Sequence, residues 1–219
     1  MALVRNSPAF QPLEAGLLER WRAIPAAIAS DAMNRGGALP AAIRPLKAAP
    51  KLFGRARTLR IMVADSLGLH MILPSLKAGE VLVIDGAGFL ENACFGALAA
   101  SVAVKRGCVG AVVNGAVRDV ADLRAMPFDV YAAGATPRGP HKGFGGETDC
   151  ALAVGSVCIE PGDLVLGDDD GVVIVPQGKA ESLIGPCESS VAREIDWMRR
   201  IGNGETTADL LNLPAAGAA

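Results

Sequence analysis

Along the middle of the chain, apolar runs of strand length alternate with amphipathic stretches of helical length. The segments ARTLRIMVA (56–64), GEVLVIDGAG (79–88), CVGAVVNGAV (108–117) and DVYAAGA (129–135) are rich in apolar residues and stopped by glycine or charge. Such runs predict strands, GEVLVIDGAG a buried one. Between them, DSLGLHMILPSLKAG (65–79), ENACFGALAASVAVKRG (91–107) and VADLRAM (120–126) predict helices. Asp65 or Ser66 supplies an N-cap for the first of these, and Gly79 ends it. Lys105, Arg106 and Gly107 close the second, where cations and a glycine suit a helix C-terminus.

The flanks follow other rhythms. An N-terminal helical part, about 12–37, is interrupted at Pro25, restarts at Ser30-Asp31 and ends in Asn34-Arg35-Gly36-Gly37. A Pro- and Ala-rich connector runs from Pro40 to Pro50. After the turn-rich TPRGPHKGFGGETD (136–149), residues 150–177 break into short strands separated by Pro-Gly-Asp and Asp-Asp-Asp-Gly turns. A C-terminal helical part, about 178–202, follows. No repeat or low-complexity linker divides the chain, so residues 1–219 are expected to form one α/β domain with a mixed sheet covered by helices.

Composition narrows the function classes. Hydrophobic residues make up 51% of the 219, aromatics only 4%, and there are 26 glycines, so the core is built from small aliphatic side chains. A net charge of −2 offers no basic surface for phosphates, and the scarcity of aromatics leaves no base-stacking platform. No nucleic-acid partner is expected. The N-terminus carries no signal-peptide core and no apolar run reaches the ~20 residues of a membrane span, so no membrane is expected either. The five widely spaced cysteines, with no CxxC pair, read as buried free thiols of a reducing cytoplasm.

Several motifs carry little chemistry. VIDGAGFLENACFG has Gly86 and Gly88 after a strand, but Glu91 stands where a dinucleotide loop needs its third glycine. The turn Asp168-Asp169-Asp170-Gly171 lacks the alternating spacing of a calcium loop and reads as a hairpin turn. His70, among Leu69, Met71 and Ile72, is expected in the core or an interface; His141 sits in a Gly/Pro-rich loop that could face a substrate.

NGAVRDVAD, Asn114 to Asp122, is richer. If the strand ends at Val117, then Arg118 and Asp119 emerge at a strand's carboxyl end, where open α/β sheets place ligands. Arg is suited to two-pronged capture of a carboxylate, and Asp is a hard-oxygen donor suited to Mg²⁺ or Mn²⁺. Asp122 lies one helical turn further on. The helix beginning near FGALAA presents free amides to an anion, and Gly96 would let a ligand approach that backbone closely. By residue chemistry alone, an anion-plus-metal site and a surface ion pair on a turn are equal readings.

At these residues the sequence resembles the proteins related to the regulator of ribonuclease activity A and to 4-hydroxy-4-methyl-2-oxoglutarate aldolase. The resemblance runs through SDAMNRGG, GRARTLR, DSLGLH, KAGEVLVIDGAG, GAVVNGAVRD, ATPRGPHKG and PGDLVLGDDDGVVIVP. It implies an α-β-β-α sandwich of the swivelling type, assembled as a homotrimer or homohexamer with the site at a subunit boundary. It also implies a lyase acting on 2-oxo acids with a divalent metal, Mg²⁺ or Mn²⁺: retro-aldol cleavage to pyruvate, with oxaloacetate decarboxylation through the same enolate. Carried over, Arg118 would clamp the carboxylate, Asp119 would bind the metal, and the backbone of Gly96, Ala97, Leu98 and Ala99 would complete the carboxylate pocket. Asp122 fits an extra acidic position of the aldolases, and Glu194 would reach a neighbouring subunit's metal waters. One position departs: Ala97 stands where the family has Asp or Glu. The alternative implied by the same resemblance is a non-catalytic regulator that binds a protein partner.

Overall fold

Strands β4 (Glu80–Asp85), β6 (Gly110–Val117) and β7 (Asp129–Ala135) are buried on both faces, and their residues sort strictly by parity. Leu82, Ile84, Ala111, Val113, Val130 and Ala132 point into one core, while Val81, Val83, Val112 and Tyr131 point into a second. This is the period-two alternation of a strand read against two apolar layers. Full burial of each large aliphatic side chain contributes about 1.5–3 kcal/mol.

The computed structural model describes residues 2–8 and 10–214. Its main sheet has 10 strands: seven form the path β1 (Ala2–Arg5), β8 (Gly145–Thr148), β3 (Leu52–Ile61), β4, β6, β7 and β2 (Arg44–Pro45), and β5 (Ala93–Phe95), β11 (Leu164–Asp168) and β12 (Gly171–Val175) join it off that path. From β3 to β7 the strands run parallel. β3 is long enough to serve two partners on its other edge. Its first residues pair antiparallel with β11 (Leu164–Asp168), and Leu59–Ile61 pair antiparallel with β8.

Four layers result. Helices α3 (Leu67–Ile72), α4 (Ala97–Lys105) and α5 (Val120–Ala125) cover the first core. The second core lies between the seven-strand path and a β layer made of β9 (Leu152–Val154), β10 (Val157–Ile159) and the off-path strands β11 and β12. Val165, Val172 and Ile174 face that core. Their neighbours Leu164, Leu166, Val173 and Val175 face a third, under α1 (Ala15–Arg22), α2 (Ala26–Ala32) and α6 (Ala180–Gly202). The architecture is the expected α-β-β-α sandwich. A final short helix, α7 (Thr207–Leu210), starts with a capping box between Thr206 and Asp209.

Some elements differ from the sequence expectation. The helix expected over 91–107 begins only at Ala97, because Ala93, Cys94 and Phe95 form β5 beside β6 and are buried there. The helix expected over 65–79 stops at Ile72, and a single 3-10 turn containing Pro74 follows; proline has no amide to continue the α ladder. The 56–64 strand is displaced to Leu52–Ile61. Cys158 is exposed, whereas Cys94, Cys108, Cys150 and Cys187 are buried free thiols as expected. The acidic turn is a hairpin turn: Asp168 pairs with Gly171, its carboxylate accepts from Asp170 N and Ala26 N, and Asp169 accepts from Ala49 N. Among the described residues, no helix is long and apolar enough to cross a membrane.

Candidate active site

Short β5 is what assembles the site. It pairs parallel with the last residues of β6, Ala93 against Ala116 and Phe95 against Val117, and the Arg118 amide donates to Phe95 O at 3.0 Å. The chain leaving β5 at Gly96 therefore lies beside the chain leaving β6 at Arg118. One turns into α4 and the other into α5, so two helix starts converge on one strand end. Gly96 is extended (φ −166°), a conformation open to any residue, so what it supplies is space. A Cβ there would stand 2.7 Å from Asp119 Oδ2 and 3.0 Å from Arg118 Cγ. The expected benefit of Gly96, close approach of a ligand, is in this chain close approach of the site's own two side chains.

Asp119 takes the left-handed conformation (φ 59°, ψ 40°), which Asp tolerates better than most residues, and this turns the strand abruptly into α5. Its Oδ2 accepts from Ala97 N at 3.1 Å and lies 3.6 Å from Arg118 Nε. Its Oδ1 has no partner among the described residues. Both side chains are partly open to solvent, Arg118 at 42% and Asp119 at 35%. The next two amides of α4, Leu98 and Ala99, have no hydrogen-bond partner among the described residues, as expected in a helix's first turn. Arg118, Asp119, Gly96, Leu98 and Ala99 line one cleft of about 110 Å³.

That cleft is completed by α3 and by the loop after Pro140. Ser66, Leu69 and His70 line it; of the two places expected for His70, core or interface, the core is excluded, because the side chain is exposed in the single chain. Lys142 lines the same cleft, while His141 does not. One carboxylate ties these elements together. Asp65 is fully buried, and its Oδ1 accepts from Leu67 N at the start of α3, while Oδ2 accepts from Gly143 N and Phe144 N. Burial alone would raise its pKa, but the backbone donors outweigh burial and hold it below the ordinary Asp value. Sequence reasoning missed His70 and Lys142; the signal that could have found His70 is its place one helical turn after Ser66.

Two candidates lie elsewhere. Asp122 is on the exposed face of α5 and does not line the cleft. Glu194 is exposed on α6, which belongs to the helical layer on the far side of the sandwich from α4. Within one chain the sheets separate Glu194 from Arg118.

For a divalent metal, the described residues hold no group of three His, Cys, Asp or Glu side chains that could form a protein cage. The free Oδ1 of Asp119 fits the other mode, in which a hard cation keeps most of its waters and takes one or two carboxylates.

Residues 26–174 match the RraA-like family, described as Aldolase/RraA, and the chain belongs to that family. It is 38% identical over 148 residues to a 4-hydroxy-4-methyl-2-oxoglutarate aldolase of Thermus thermophilus, covering 68% of this chain and 90% of that one. Among solved structures it is similar to Streptomyces coelicolor RraAS2, an unusual member of the RNase ES inhibitor RraA family. That match has TM-score 0.77 and 28% identity, over 86% of this chain and all of the other. It is also similar to the RNA-processing inhibitor RraA of Thermus thermophilus, with TM-score 0.64 and 37% identity over 69% of this chain and 92% of the other. The family match ends before α6, so Glu194 lies outside it.

Proposed function

We propose that this protein is a divalent-metal-dependent lyase of 2-oxo acids. It would cleave 4-hydroxy-4-methyl-2-oxoglutarate-type substrates to pyruvate by a retro-aldol reaction and decarboxylate oxaloacetate through the same enolate. The observation that carries this reading is the convergence of Arg118, Asp119 and the open amides of Leu98 and Ala99 on one cleft. Arg118 donates two N–H groups to the substrate carboxylate, and the helix-start amides donate to the same anion. Asp119 would hold Mg²⁺ or Mn²⁺, which would supply Lewis-acid polarisation of the 2-oxo group. The aldolase relative supports the reaction class.

Assembly is part of the proposal. Leu98 is 79% exposed beside the cleft, and Val102 and Met71 are exposed nearby on α4 and α3, an apolar rim that a homotrimer or homohexamer would cover. Only in such an assembly could Glu194 of a neighbouring copy come near the cleft, since within one chain the sheets separate it from Arg118.

The test is pyruvate release from oxaloacetate and from 4-hydroxy-4-methyl-2-oxoglutarate, with Mg²⁺, with Mn²⁺ and after chelation. Metal-dependent release supports the lyase. A second reading, a non-catalytic regulator that binds a protein, is favoured by Ala97, which offers no carboxylate at the start of α4, although its amide still holds Asp119. Absence of release under every condition would select it.

The space at Gly96 gives a further prediction. Gly96→Ala is expected to push the Asp119 carboxylate off Ala97 N and displace Arg118. Pyruvate or oxalate affinity should fall about tenfold, at a stability cost on the order of 1 kcal/mol. Titration calorimetry and a thermal melt check both. Wild-type affinity in a folded variant would mean that the two side chains swing aside without consequence.

A further inference from the structure

We propose that the imidazole of His70 is the proton carrier of this cleft, accepting the proton of the substrate's C4 hydroxyl and returning it to C3 of the pyruvate enolate. This inference rests on the lyase reading above and assigns a role that reading leaves open.

The ionisable side chains lining the cleft are His70, Cys94, Arg118, Asp119 and Lys142. A guanidinium or ammonium group carries donors and no acceptor, so Arg118 and Lys142 suit anion binding rather than proton abstraction. Cys94 is buried, and burial pushes its thiol up to about 12, far from a usable base. Asp119 spends Oδ2 on Ala97 N and faces Arg118, and its other oxygen points to the proposed metal role. His70 is left. Its ring lines the cleft and forms no hydrogen bond among the described residues, so neither nitrogen is committed to a protein partner there.

The surroundings favour the neutral ring. Partial desolvation at the cleft wall and the nearby Lys142 both push the imidazole below its ordinary value of 6.5, and Asp65 opposes them only in part. At neutral pH a ring nitrogen then carries a lone pair, the state a general base needs. The geometry is held, not incidental. Asp65 anchors both the start of α3, which carries His70, and the Gly143–Phe144 backbone next to Lys142. The Asp65 carboxylate, the Lys142 ammonium and the Arg118–Asp119 pair are the charged groups around the ring.

The step balances without any further reagent. The ring nitrogen takes the hydroxyl proton, and the O–H electrons become the new C4 carbonyl bond. The C3–C4 bond breaks, and its electron pair becomes the enolate of pyruvate. The imidazolium then protonates C3, giving pyruvate and restoring neutral His70. Oxaloacetate decarboxylation starts from a carboxylate and has no hydroxyl proton to lose, so its carbon–carbon cleavage does not need the base.

That difference supplies the test. His70→Gln and His70→Ala are compared with the wild type on both substrates, with kcat and KM separated. His70 is exposed, so both variants should fold, which a thermal melt checks. The expected result is an aldol kcat lower by about 10²–10⁴-fold with little change in KM. Oxaloacetate decarboxylation should fall by less than about tenfold. Added imidazole should restore part of the aldol rate of His70→Ala, and the acid limb of the kcat/KM profile should vanish in His70→Gln. Aldol cleavage within about tenfold of wild type would overturn the proposal. So would an equal fall in both reactions with a raised KM, which would make His70 a substrate-binding group. A wild type inactive on both substrates would instead fail the lyase reading and the proposal with it; an active wild type with an active variant would fail His70 alone.

Discussion

Arg57→Ala is expected to lower the free energy of unfolding by about 3–5 kcal/mol, the cost of stranding buried carboxylates whose partner has been removed. Arg57 sits on β3 with its side chain 3% exposed. Its Nε and Nη2 donate to the two oxygens of Asp149 at 2.7 and 3.0 Å. Nη1 donates to both oxygens of Glu80, at 3.2 and 3.0 Å, and to Ser75 O at 3.1 Å. Nη2 also donates to Ser75 Oγ. Burial alone would lower the guanidinium pKa, but the two carboxylates outweigh burial and raise it.

This network joins β3, β4, the 3-10 turn and the end of β8, which explains so large an expected effect from one side chain. Alanine would leave Asp149 and Glu80 buried and uncompensated, because Glu80 is also held by Lys77 N and cannot swing away freely. Urea denaturation should show a lower midpoint with an unchanged slope. The triple variant Arg57→Met, Glu80→Gln, Asp149→Asn should recover part of the loss, because it removes the charges together. A loss below about 1 kcal/mol for Arg57→Ala would mean that water reaches both carboxylates.

Arg118→Lys is expected to weaken binding of pyruvate or oxalate by about 1.5–3 kcal/mol, roughly 10–150-fold, although the charge is kept. Lysine offers a point charge where the guanidinium offers a planar fork matched to a carboxylate. The Arg118 side chain is also confined. An added Cβ on Gly139 would stand 3.0 Å from its Nη1, and Gly96 leaves room for its Cγ, so its path across the cleft is shaped by both strands of backbone. Lysine would have to fill that path with a different stem. Calorimetric titration of the folded variant reads the loss. Unchanged affinity would assign the anion to the helix-start amides of Leu98 and Ala99 without Arg118.

The strand ends at β6 and the Arg118-Asp119 pair were legible because a buried strand announces itself as an apolar run, and a charge pair at its end is conspicuous against it. The Pro25 break between α1 and α2 and the Asp-Gly hairpin at 168–171 were legible for the same reason: they are local backbone chemistry. β1 and β5 were not. Each is short, and each owes its extended form to a partner strand distant in sequence, β8 for one and β6 for the other. Asn92-Ala93-Cys94-Phe95 reads as the first turn of a helix until the edge of β6 claims it.

His70 shows the same division at the site. Leu69 and Ile72 on α3 place their side chains in the core, yet His70 itself turns toward solvent and the cleft. Only the tertiary placement of α3, β5 and the loop at Pro140 and Lys142 around one cleft brings it together with Arg118. The sequence by itself determined the alternation of strands and helices and the charged pair after β6, which depend on interactions within a few residues. The tertiary structure decided which helix start faces that pair, that Gly96 serves the site's own side chains, and that His70 and Lys142 share the cleft. Those outcomes depend on β5 pairing with β6 and on Asp65 bridging two segments, contacts whose partners lie far apart along the chain and leave no periodic trace in it.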